Sequence, residues 1–155
     1  MPSAVVDSSL ILRLLIDEPG SAQAQAQWAV WKRERADIAA PALLIYETVN
    51  ALHQSWRHKL LATDEVMQAV AILMSFPIRY YRSLHIADRA AELARELQMG
   101  ATYDGFYIAL AETLPYEFWT GDRRLYHNVH KRFDFVRSFW DDGQQASPEE
   151  IRELP

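Results

Sequence analysis

The sequence contains no cysteine. That excludes a disulfide framework and every thiolate metal site. Any bound metal must therefore be held by Asp, Glu or His, a donor set that favours hard, oxygen-bound ions. No apolar run approaches the ~20 residues a helix needs to cross a bilayer. Nor does a basic stretch followed by an apolar core open the chain, so no membrane span and no secretory signal are expected. A reducing cytoplasm is the expected home. Positive charge is also short: 16 Lys and Arg stand against 21 Asp and Glu, a formal charge of −5. This argues against broad coating of nucleic acid. It leaves a nuclease open, because cations bound to a carboxylate site would offset the count. The histidines (His53, His58, His85, His127 and His130) show no zinc pattern, and neither Ser8 nor Ser9 sits in a G-x-S-x-G elbow.

What remains is a chain of 155 residues, half of them hydrophobic, enough for one well-cored domain over 1–140 with a polar tail over 141–155. Strand-like runs at 3–6, 37–40, 78–81, 117–119 and 133–136 alternate with helical stretches. That alternation predicts an α/β domain with a central short parallel sheet flanked by helices. The run Ser-Ala-Val-Val is too uniformly apolar for a half-exposed strand and reads as buried on both faces. Ser21 reads as the cap of a second helix. Pro41 suits the first turn of the next, which runs to about His58 with Ile45, Val49, Leu52 and Trp56 as its core stripe. Leu43, Glu47, Asn50 and Gln54 trace a second stripe, so Glu47 and Asn50 project together.

The chain is organised around residues 102–125. Asp104 opens an apolar helix there, and Asp122 follows an aromatic run and opens another helix. A carboxylate at a helix start ordinarily caps free N–H groups. Asp7 ends the first strand and Glu47 lies early in its helix, however, so four carboxylates can converge at the carboxyl ends of the strands, where open α/β sheets hold ligands. Gathered without cations they would raise one another's pKa. Mg²⁺ or Mn²⁺ would remove that penalty and would activate water and polarise phosphoryl oxygens.

Four segments, in order, resemble the acidic motifs of the PIN domain and of its VapC-type toxins: Val-Val-Asp7-Ser-Ser, Tyr46-Glu47-Thr-Val-Asn50-Ala-Leu, Tyr103-Asp104-Gly-Phe-Tyr-Ile-Ala-Leu-Ala and Trp119-Thr120-Gly-Asp122-Arg-Arg-Leu. The resemblance implies a Mg²⁺- or Mn²⁺-dependent endoribonuclease, the toxin of a toxin–antitoxin pair, with Asp7, Glu47, Asp104 and Asp122 around the metal. Asn50 and Thr120 would be supporting polar residues. It also implies an RNA substrate, a cognate antitoxin and a homodimer. Gly105 departs from the family, which usually has Ala there.

Rival readings are an RNA-processing nuclease without an antitoxin, a phosphatase using Asp7, and a non-catalytic binding module. The phosphatase would normally want a second Asp where Ser9 stands. The binding module would leave four repelling carboxylates uncompensated. Two surfaces stand out beyond the site. Arg123 and Arg124 follow Asp122 directly, so at least one of them could reach a bound strand. Trp28 and Trp31 offer either a partner-binding face or packing on helix 41–58.

Overall fold

The structure, a computed structural model, describes residues 2–140. Val5 and Val6 are fully buried in β1 (Ser3–Val6), as a strand covered on both faces requires. Then follow α1 (Ser8–Leu15), α2 (Ser21–Glu34), β2 (Asp37–Pro41), α3 (Leu43–Arg57), α4 (Thr63–Ser75) and β3 (Ile78–Tyr81). A 3-10 turn (Ser83–His85) leads to α5 (Ala87–Glu96), α6 (Tyr103–Thr113), β4 (Glu117–Thr120), α7 (Arg123–Val129) and β5 (Val136–Ser138). The strands form one parallel sheet in the order β3-β2-β1-β4-β5. The chain thus builds outward from β1 to β3, then returns to add β4 and β5 on the other side. Its direction reverses between β1 and β4, the place where open α/β sheets bind ligands.

α6 lies across β1, β2 and β4 with α5 packed behind it, while α1 packs on α2, α3 and α4. Gly105 and the run Tyr107 to Ala111 are buried in α6, as expected of a helix that is apolar all round. At the amino ends of the strands, Tyr116 and Arg79 both donate hydrogen bonds to Asp37. Asp37 is therefore neutralised by a cation.

Several local expectations need correction. Pro41 ends β2, paired with Tyr81, and does not begin a helix. The β1 pairing stops at Ala39, so the missing N–H of Pro41 costs no bond on that side. With the helix starting later, the core stripe of α3 is Leu44, Thr48 and Leu52. Val49 and Trp56 are 37% and 45% exposed. Ser21 is the first residue of α2, capped instead by Gly20 at φ 92°. That φ strains any side chain, and a Cβ at Gly20 would sit 2.5 Å from the Trp140 ring, which would have to move. The Ser21 hydroxyl closes the preceding turn by donating to the Ile16 carbonyl and accepting from the Glu18 N–H.

The final strand is Val136–Ser138, not 133–136. Phe133 and Phe135 mimic a strand period, but their rings pack together at 5.5 Å in the turn that enters β5. Trp31 is buried and Trp28 partly so. They link Phe76, after α4, to Trp119 of β4 through ring contacts of 4.9, 6.1 and 5.3 Å. Both rings pack inward, on different neighbours from the expected helix 41–58. The tail over 141–155 lies outside the described residues.

Candidate active site

Asp7 follows β1 and caps α1, its Oδ1 accepting the Leu10 N–H at 3.0 Å. The same oxygen accepts the Ser9 hydroxyl at 2.6 Å. Its Oδ2 accepts the Thr120 hydroxyl. Thr120 is fully buried at the end of β4, and its oxygen accepts the Asp122 N–H at 3.0 Å. The Ser9 oxygen likewise accepts the Gly121 N–H at 2.9 Å. Each hydroxyl spends its one proton on Asp7 and takes a backbone N–H from the β4–α7 turn. The two hydroxyls therefore tie the first carboxylate to the turn that carries the fourth.

Asp122 caps α7, its Oδ1 accepting the Leu125 N–H at 2.9 Å, and among the described residues Oδ2 accepts no hydrogen bond. Glu47 projects from α3, and its Oε1 accepts the Tyr107 hydroxyl at 2.5 Å. Asp104 is the second residue of α6, not its cap: the cap is Thr102. The capping explanation of Asp104 therefore falls away. Asn50 stands exposed on α3, three residues from Glu47, and makes no hydrogen bond to the other site residues among those described.

Burial pushes the Asp7 carboxyl up, against the hydrogen bonds from Ser9, Thr120 and Leu10, and the Asp122 charge adds to the rise. Glu47 is raised by burial and by Asp7, with Tyr107 opposing. Asp104 is pushed up to about 7, first by burial and then by the charges of Asp7, Asp122 and Glu47. No cation is among the influences on these three, in contrast to Asp37 with Arg79 or Glu112 with Arg89. The four carboxylates thus share one electrostatic environment at the sheet's reversal point. Among the described residues no three or more acidic or histidine side chains stand close enough together to hold a metal ion. The donor chemistry nevertheless fits Mg²⁺ or Mn²⁺, because Mg²⁺ usually keeps several waters and takes only one or two carboxylates directly.

Three residues outside the expected set complete the local structure. Ser9 and Tyr107 are described above, and Trp140 is the third. Its indole N–H donates to the Gly121 carbonyl at 2.9 Å. The guanidinium of Arg123 lies 3.7 Å from one face of the Trp140 rings, and that of Arg13 lies 5.4 Å away. Arg123 is thereby occupied by Trp140, whereas Arg124 is exposed. In the sequence, Tyr107 gave one signal: it sits one turn after Asp104 and so shares its face. Trp140 gave none.

Sheet order, reversal point and acidic site together define a class of protein. The profile of the PIN domain matches residues 4–131, and the chain belongs to that family. Within it the chain is of the VapC type. It is 30% identical to Ribonuclease VapC12 of Mycobacterium tuberculosis over 78% of this chain and 88% of that protein. It is 34% identical to Ribonuclease VapC3 of Pyrobaculum aerophilum over 78% of this chain and 90% of the other. The fold is shared with the VapBC2 complex of Rickettsia felis bound to a promoter DNA fragment, at a TM-score of 0.64 and 13% identity, covering 90% of this chain and 99% of that one.

Proposed function

We propose that this chain is an endoribonuclease, the toxin of a toxin–antitoxin pair, and that Asp7, Glu47, Asp104 and Asp122 hold Mg²⁺ or Mn²⁺. The observation that carries this reading is a buried Asp7 with part-buried Glu47, Asp104 and Asp122 beside it, where neighbouring carboxylates and no described cation act on Asp7, Glu47 and Asp104. A bound dication supplies activation of water and polarisation of the phosphoryl group. The chain's own residues do the rest. Ser9 and Thr120 fix both oxygens of Asp7 and align the Asp122 turn with it. Among the described residues Asp122 Oδ2 and both Asp104 oxygens accept no hydrogen bond, which leaves them for a ligand. Asn50, exposed beside Glu47, contacts substrate or water. One nuclease domain spans 1–140, and the cytoplasm holds its RNA substrate.

The partner is a cognate antitoxin, a reading supported by the toxin–antitoxin complexes among the structural relatives. A homodimer is supported by the exposed apolar side chains Tyr46, Trp56 and Leu60 at α3 and Met67 and Met74 on α4.

The deciding experiment is RNA cleavage in Mn²⁺ against EDTA, with a phosphomonoester as control. Asp7→Asn and Asp122→Asn are each expected to abolish cleavage, at least a hundredfold, while remaining folded. Retained cleavage in both variants, or full activity in EDTA, sinks the reading. Hydrolysis of the phosphomonoester alone would select the phosphatase instead.

A further inference from the structure

We propose that Tyr107 is a positioning residue of this site, aiming the Glu47 carboxylate through a hydrogen bond that crosses from α6 to α3. The proposal rests on the metal-dependent reading above. Tyr107 is 1% exposed, and its ring stacks on Phe118 with centroids 6.1 Å apart and planes 14° from parallel. Phe118 is fully buried in β4, paired on either side with Val5 and Val136. A ring seated on the middle of the sheet in this way has little freedom, so the oxygen at its tip is a fixed point.

Glu47 is the opposite case. Its side chain is long and carries substantial rotamer entropy when unconstrained. Among the described residues the Tyr107 hydroxyl is its one hydrogen-bond partner. That bond occupies Oε1 and leaves Oε2 for a ligand. Buried tyrosine hydroxyls usually find some acceptor. Here the acceptor is a site carboxylate 60 residues away in sequence. Tyr107 also follows Asp104 by one turn of the same helix. α6 therefore carries one carboxylate of the site and holds a second that belongs to another element.

Tyr107→Phe removes the hydroxyl and keeps the stacked ring. The probe is Mn²⁺ alone, titrated by calorimetry into the full chain and into Tyr107→Phe, Glu47→Ala and the double variant, with metal-free melts beside them. Loss of a group that orients a metal ligand typically weakens metal binding by about 10–100-fold. Tyr107→Phe is expected to weaken Mn²⁺ binding by about that factor in the native chain and to have no further effect once Glu47 is Ala. Cleavage by Tyr107→Phe should need correspondingly more Mn²⁺ and recover when Mn²⁺ is in excess. A merely structural tyrosine would lower the melt and act equally in both backgrounds.

The proposal is overturned if Tyr107→Phe binds Mn²⁺ like the native chain, or weakens it equally in the Glu47→Ala background. A native chain that shows the expected pattern yet leaves RNA intact overturns the nuclease reading and keeps Tyr107 in its role. A native chain with no Mn²⁺ affinity overturns both.

Discussion

Asp104 has the strongest consequence at the scale of single residues. Its folded pKa of about 7 lies far above the ordinary 3.8. Between those values the folded chain binds a proton that the unfolded chain has lost. Metal-free stability must therefore fall as pH rises from about 4 to about 7. Asp104→Asn cannot lose that proton. In EDTA at pH 8 the variant is expected to melt above the native chain, and at pH 4 to melt alongside it. A native melt that does not fall between pH 4 and 8, or no gain in the variant at pH 8, would remove this account. The carboxylates themselves were legible in the sequence, because each sits in a recognisable local context. Their orienting partners were less so. Thr120 reaches Asp7 across 113 positions and Tyr107 reaches Glu47 across 60, and such bonds exist only once the fold has closed.

Elements show a different limit. The periodicity of α3 contains two apolar stripes about one residue out of phase, and only the packing of α1 and α4 decides which one faces in. Sequence reasoning chose Val49 and Trp56, whereas the fold buries Leu44 and Thr48. Thr48 is polar, which hid the true stripe. Gly105 could not be interpreted from sequence either. A Cβ there would stand 2.5 Å from the Ala90 carbonyl oxygen, a backbone atom of α5 that cannot rotate aside. Within a helix, Gly→Ala is ordinarily favourable by ~1 kcal/mol. Overpacking costs about 1–3 kcal/mol, so at this position the clash wins. Gly105→Ala is expected to lower the melting temperature by a few degrees and to reduce cleavage, because α6 must move away from α5 and carries Asp104 with it. A stabilised, fully active variant would show that the two helices separate freely.

The whole molecule was the most legible scale. Alternating strands and helices gave the parallel sheet, and the four acidic segments in order pointed to the edge proposed as its site. The order of strands in space was not readable, since nothing local distinguishes an outward crossover from a return. Assembly belongs to this scale as well. A stable interface of standard size buries ~800 Å² on each partner, more than any single exposed side chain supplies. In the proposed dimer Trp56 and Met67, exposed together on α3 and α4, would be covered along with their neighbours. Replacing Trp56 and Met67 by Glu is expected to turn a dimer into a monomer in sedimentation velocity while the fold is kept. A native chain that sediments as a monomer at all concentrations would end the dimer reading.

Trp140 has an optical consequence. Its indole is bonded to the carbonyl beside Asp122 and flanked by the charges of Arg13 and Arg123. Indole emission responds to nearby charge, so a change in charge at the carboxylate edge is expected to alter the emission of this ring beside it. The molecule carries its own dye, placed where a ligand would be felt and not touched. Occupancy of the site is expected to show in the emission of Trp140, over that of Trp28, Trp31, Trp56 and Trp119.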